Sequence, residues 1–173
     1  MIISLTGFMG SGKSSVGVRL ATCLGYEFID LDYYIEKKIG LSIDEIFKEQ
    51  GEDGFRAIEA EALRDVVIMH KLTAENLVLA LGGGTLSIGG VTHLIFEDTT
   101  CVYLKANEET LKRRIEKSDN KIRPLWDTET LSQLYKSRKD LYESAPICVE
   151  TDDLSEEEVA EKVAKLIKKE HSI

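Results

Sequence analysis

Residues 7–14 read GFMGSGKS, directly after the apolar run IISLT (2–6). The stretch matches G-x-x-x-x-G-K-[ST] at Gly7, Gly12, Lys13 and Ser14. Glycines let a backbone curl until successive N–H groups converge on phosphate oxygens. The helical pattern that follows, Lys13 to Leu24, aims its N-terminal dipole at the same point. Gly10, Ser11, Gly12, Lys13, Ser14 and Ser15 are therefore the expected phosphate cradle. Lys13 should reach the β- and γ-phosphates, and Ser14 should ligate Mg²⁺. A chance match arises in roughly one chain of this length in a hundred at average composition. Its position between a first strand and a first helix tightens that further. The motif implies a nucleoside triphosphate and leaves the reaction open.

Outward from the loop, short apolar runs alternate with helical patterns. IISLT (2–6), EFIDL (27–31), LVLAL (77–81), TCVYL (100–104) and PICVE (146–150) read as five strands. Their near-continuous apolar character suits strands covered on both faces, as in a parallel sheet. Between them, Val16, Leu20 and Cys23 mark one helical face. Ile58, Ala62, Val66 and Met69 mark a second, over 55–70. Val159, Val163 and Leu166 mark a third, opened by Ser155 with Glu158 three residues on. The alternation predicts a doubly wound α/β fold. Two segments break the rhythm. Residues 32–54 form an insertion in which Ser42 and Glu45 make a capping box before Ile46 and Phe47. Residues 117–130 are polar, contain Pro124 and show no periodicity, the pattern of a mobile loop.

The chain has 173 residues, enough for one domain with a proper core. Its formal charge is −9, which argues against nucleic acid or an anionic membrane as the main partner. The longest apolar runs are strand-sized, so no transmembrane segment is expected. A strand beginning at residue 2 leaves no room for a leader, and the expectation is a cytoplasmic protein. Cys23, Cys101 and Cys148 are an odd number without CxxC spacing and read as reduced, buried thiols. His70, His93 and His171 lie outside every motif and read as helix or surface positions without a metal cluster.

A GTPase would need a guanine-reading N-K-x-D, which is missing from this sequence. A small-molecule kinase needs an acceptor site, arginines for transition-state charge and a lid. In order, the chain carries GFMGSGKSSVG, FIDLD (28–32), FRAIEAEAL (55–63), LGGGT (81–85), RPLW (123–126) and SRKDLY (137–142). This set closely resembles the shikimate kinases, over residues 1 to about 150. The resemblance implies a P-loop kinase fold of the nucleoside monophosphate kinase type. That fold is a five-stranded parallel sheet, order 2-3-1-4-5, with helices on both faces and a mobile lid. It implies one domain over 1–173, with a substrate-binding subregion at 32–62 and a lid at 116–130. It implies ATP and Mg²⁺, transfer of the γ-phosphate to the 3-hydroxyl of shikimate, a role in aromatic amino-acid synthesis, and a monomer.

The residues carry that implication in detail. A carboxylate is best held by the planar guanidinium fork, and the family uses the positions of Arg56 and Arg138. Glu59 follows Arg56 by one helical turn. Alone, these would read as a surface pair and a solvated charge. Gly82, Gly83 and Gly84 stand at the carboxyl end of a strand, where ligands of such sheets bind. Arg123 would swing over the phosphates and stabilise transferring charge. Arg113 or Arg114, the latter favoured slightly by LKRRI, would pack on adenine, opposite Thr151 to Leu154. Trp126 could cover the site or anchor the loop. Departures from the family pattern are Ser15 in place of Thr, Pro146 in place of Ala, and a shortened, irregular 86–98. The runner-up is another small-metabolite kinase, such as a gluconate kinase. A different class is a nucleotide-sensing domain that has lost its chemistry, against which the intact Asp30, Asp32, Arg56, Arg123 and Arg138 argue.

FIDLD places two carboxylates at positions i and i+2. On one strand they would share a face, roughly 6–7 Å apart. Asp30 is expected to hold Mg²⁺ beside Ser14, and Asp32 to receive the acceptor hydroxyl, as a base or only as an orienting group.

Overall fold

The runs at 2–6, 77–80 and 100–105 read as unbroken apolar stretches because helices cover both their faces, whereas the edge runs at 27–30 and 147–150 stay partly exposed. The computed structural model describes residues 1–117 and 128–170. β1 (Ile2–Thr6), β2 (Glu27–Asp30), β3 (Leu77–Ala80), β4 (Thr100–Lys105) and β5 (Ile147–Glu150) form one parallel sheet in the order β2-β3-β1-β4-β5. Alternate residues feed opposite cores. Ile3, Leu5, Val78, Val102 and Leu104 pack under α1 (Lys13–Leu24) and α7 (Glu156–Glu170). Ile2, Leu77, Leu79, Cys101 and Tyr103 pack against the other layer. That layer is α2 (Leu31–Ile39), α3 (Ile43–Thr73), α4 (Val91–Asp98), α5 (Glu108–Lys117) and α6 (Thr128–Glu143).

Several boundaries follow from single side chains. α1 runs between Gly12 and Gly25, both in the left-handed region (φ 90° and 69°). The predicted capping boxes form: Ser42 and Glu45 exchange hydrogen bonds at the start of α3, as do Ser155 and Glu158 at α7. The insertion is more helical than its sequence suggests, because α2 and the first part of α3 occupy it. Helical geometry in α3 breaks at Gly51 (φ 70°, ψ −175°), so α3 is two helices joined at a kink. Phe47 and Phe55 bridge the break, ring centroids 4.5 Å apart. The irregular 86–98 resolves into a 3-10 turn (Thr85–Ser87) and the short α4. α6 stops at Glu143, three residues before Pro146, and β5 keeps register with β4, Val102 opposite Ile147.

Three packing expectations are corrected. On α1 the buried positions are Val16, Gly17, Leu20 and Ala21, and Cys23 is exposed. Cys148 is exposed too, on an outward position of the edge strand β5, and only Cys101 is buried. On α3 the stripe runs through Phe55, Glu59, Ala62, Leu63, Val66, Val67 and His70, leaving Met69 58% exposed. The ends of the expected lid are helical, 116–117 in α5 and 128–130 in α6, because both helices extend into it; its Arg123 and Trp126, and His171, lie outside the described residues.

Candidate active site

β1 and β3 are neighbours, so the loops leaving their carboxyl ends emerge side by side. The first is the Gly7–Ser14 cradle. Gly7 and Gly12 hold φ 148° and 90°, a region closed to most side chains. The Ser11 amide donates to the Phe8 carbonyl (3.1 Å), which closes the turn. α1 begins without a side-chain cap on its first amides, an arrangement suited to an anion. The Lys13 ammonium folds over the loop, donating to the carbonyls of Gly7 (2.8 Å) and Phe8 (3.2 Å). The Ser11 hydroxyl is buried with no hydrogen-bond partner among the described residues. A buried hydroxyl at a phosphate cradle is satisfied once an acceptor enters.

β2 ends beside this cradle, and here the FIDLD reading changes. The strand stops at Asp30, and Asp32 lies in the first turn of α2. The two acids therefore share no strand face. Asp30 is the N-cap: one carboxylate oxygen accepts from the amides of Asp32 (3.1 Å) and Tyr33 (3.3 Å). Its other oxygen accepts from the Ser14 hydroxyl. A hydroxyl and a carboxylate in contact are a hard oxygen pair suited to Mg²⁺. Asp32 instead turns toward β3: a Cβ built on Gly82 would stand 3.2 Å from Asp32 Oδ1.

The Gly82–Gly84 loop is shaped by the arginine side. The Arg56 Nη1 donates to Glu59 Oε2 at 2.5 Å, and Glu59 is wholly buried. The other Glu59 oxygen accepts from the buried Thr85 hydroxyl. A Cβ on Gly84 would stand 2.7 Å from Arg56 Cζ, and one on Gly82 2.6 Å from Glu59 Oε1. Two of the three glycines are thus needed to admit the arginine and its partner, an added reason beside close approach to a ligand. A Cβ on Gly83 would lie 3.8 Å from Arg138 Nη1 and 3.7 Å from the Met9 amide. Arg138, on α6, therefore meets the phosphate loop at Gly83. Tyr142, one turn on, donates its phenol to the Gly83 carbonyl and packs on Tyr103, centroids 5.4 Å apart. Burial pushes the Tyr142 phenol up to about 12, against the opposing pull of the Arg138 guanidinium.

Farther along the cradle, Arg114 on α5 donates to the Thr151 hydroxyl (3.1 Å) and carbonyl (2.6 Å), whereas Arg113 is exposed. The two expected walls of the adenine site thus meet. Thr85 and Tyr142 were not among the expected site residues. Both stood inside the quoted motifs, as the last letters of LGGGT and SRKDLY. Only Tyr142 carried a signal, a polar-tipped ring at a buried position of a helix; Thr85, after three glycines, carried none.

The family profile described as shikimate kinase matches residues 9–168. The chain belongs to the shikimate kinase family. A shikimate kinase of Dictyoglomus turgidum is 38% identical over 170 residues, covering 96% of each chain. One of Thermus thermophilus is 39% identical over 167 residues, covering 94% of this chain and 88% of the other. Among solved structures, shikimate kinase from Acinetobacter baumannii in complex with shikimate superposes with a TM-score of 0.87 at 35% identity, covering 98% and 93%. That from Aquifex aeolicus gives 0.82 at 31% identity, covering 99% of each chain. The family's reaction is this chain's reaction: ATP- and Mg²⁺-dependent phosphorylation of shikimate, a step of aromatic biosynthesis. Among the described residues no helix is long and apolar enough to cross a membrane.

Proposed function

We propose that the groups gathered at the ends of β1, β2 and β3 divide the shikimate kinase reaction as follows. Arg56 and Arg138 clamp the substrate carboxylate, one from each side of the Gly82–Gly84 loop. The observation that carries this is Arg56 itself: its partner Glu59 is wholly buried and anchored by Thr85, so the guanidinium is held before any ligand arrives. Asp32 faces the acceptor hydroxyl and orients it. Gly10, Ser11, Gly12, Lys13, Ser14 and Ser15 bind the phosphates, with Lys13 on the transferring group. Ser14 and Asp30 would hold Mg²⁺. A bound ion would supply charge neutralisation for the phosphates during transfer. Arg114 supports adenine against Thr151. Arg123, in the lid at 116–130, adds charge stabilisation and helps exclude water.

The same reading takes 1–173 as one domain, with its substrate-binding subregion at 32–62. It takes the chain as a cytoplasmic monomer that acts on small molecules and binds neither nucleic acid nor membrane. The charge of −9 supports that, and light scattering on an eluted peak tests the monomer.

Coupled ADP release with shikimate, with gluconate and with no acceptor tests the whole. Turnover should require shikimate. Turnover with gluconate alone, or equal rates in all three, overturns the reading. Arg56→Lys and Arg138→Lys should each raise the KM for shikimate about tenfold or more while leaving that for ATP within about twofold, since a lysine cannot form the fork.

A further inference from the structure

At the opposite end of the sheet from the phosphate cradle, three ligand atoms converge. Glu27 is the first residue of β2, His70 lies in the last turn of α3, and Glu75 stands in the turn into β3. One oxygen from each glutamate and one ring nitrogen of His70 all lie within 4.8 Å of one another. Three such donors could hold a metal ion, around a histidine that lies outside every motif.

The histidine is the informative member. It is 9% exposed, while both glutamates reach solvent. Its Nδ1 lies 2.9 Å from the Val66 carbonyl. A carbonyl only accepts, so Nδ1 carries a proton. Nε2 then faces Glu27 Oε2 at 3.1 Å. Either a ring proton or a bound cation can stand between these two atoms. Glu75 brings a second carboxylate to the same point, and a dication can be shared by all three donors. A ring nitrogen fixed by an Nδ1–H bond to a carbonyl is also the usual arrangement of a metal-bound histidine.

We propose that Glu27, His70 and Glu75 bind a divalent transition metal ion of the zinc class, separate from the Mg²⁺ at Ser14 and Asp30. One imidazole and two carboxylates suit such an ion at about 2.0–2.2 Å from each donor, with water completing the shell. The exposed glutamates have the rotamer freedom to close to that distance. The backbone already holds the parts together: the Glu27 amide donates to the Asn76 carbonyl (3.0 Å), and the terminal amine donates to the Asn76 side chain (2.6 Å). Thr73 donates to Glu75 (3.2 Å). The bound ion would tie the end of α3 to the start of β2, far from the reacting atoms. Its effect belongs to stability and not to turnover.

The test is calorimetric titration of the full chain with Zn²⁺ under excess Mg²⁺, with melting followed in parallel. Cys23 and Cys148 are replaced by Ser, because exposed thiols bind the same ion. One equivalent of Zn²⁺ should bind, and the Tm should rise by a few degrees while kcat stays unchanged. His70→Gln, Glu27→Gln and Glu75→Gln should each weaken binding at least tenfold and abolish the shift. The two glutamates are exposed, so their variants keep the test intact if His70→Gln fails to fold. Absence of saturable uptake, or uptake undiminished in Glu27→Gln and Glu75→Gln, overturns the proposal.

Discussion

Thr85 shows how much one hydroxyl decides. It donates to a carboxylate that is wholly buried, and that carboxylate holds Arg56. Thr85→Val keeps the shape and leaves a charged oxygen without a donor, a loss of about 1–3 kcal/mol. The loss should divide unevenly between substrates: the KM for shikimate rises about three- to tenfold and that for ATP stays put. Equal changes in both would show that Thr85 supports the fold alone. Asp30 and Asp32 separate in the same way. Asp30→Asn retains an oxygen for capping the amides of Asp32 and Tyr33, so the protein should fold while the Mg²⁺ concentration for half-maximal rate climbs. Asp32→Asn should leave that concentration unchanged and lower kcat about a hundredfold, the scale of misplacing a reacting group. Titration of rate against Mg²⁺ for both variants checks the division. The sequence already named both acids, and it named Arg56 with Glu59. It did not show that FIDLD turns a corner at Asp30, because a strand pattern and a helix N-cap both begin with an extended aspartate. Nor did it show Thr85, since a threonine after three glycines carries no periodicity.

At the scale of elements, boundaries set by a local side chain were legible and faces set by packing were less so. α1 has the bounds its sequence predicts, from Lys13 to Leu24, because glycine punctuates both ends. Met69 and Cys23 were misassigned for one reason. A helical stripe read from apolar letters counts every apolar residue, whereas the neighbouring layer covers only one arc and admits Glu59 and His70 within it. The insertion is the element where stability and function meet. α2 and the first part of α3 end and begin at capped residues, and Ser42 satisfies an amide that nothing else there covers. Ser42→Ala should cost about 1 kcal/mol, read as a lower denaturant midpoint with unchanged slope. At Gly51 the φ of 70° leaves no crowding around a Cβ, so Gly51→Ala tests backbone strain alone. It should destabilise by about 1–3 kcal/mol, because φ 70° with ψ −175° is a region essentially confined to glycine. A neutral or stabilising result would mean that α3 straightens when the glycine is removed.

Across the whole molecule, the sheet carries its polar burial on one side. Cys101, Tyr103 and Tyr142 all lie in the core between the sheet and α2 to α6. Each holds its proton more tightly there than in water, because burial disfavours the charged form. The Cys101 thiol is pushed up to about 11 and the Tyr142 phenol up to about 12, and Tyr103 is raised as well. The sign follows from proton counting. The unfolded chain releases these protons near pH 9 and 10, while the folded chain keeps them, so folding is linked to proton retention. The contribution is therefore complete below about pH 9 and is lost as pH climbs toward 12. For Tyr142 the full loss corresponds to roughly 3 kcal/mol. The Tm should hold with respect to these groups between pH 7 and about 8.5, then fall steeply. Tyr142→Phe lowers the Tm at pH 7, because the Gly83 carbonyl loses its donor, yet it also removes one of the groups that titrates. Its curve should start lower and decline less steeply, so that the two curves converge as pH approaches 11. Melting measured from pH 7 to 11 on both proteins decides this, and parallel curves would show that the phenol at Gly83 does not share in the alkaline limit of the fold.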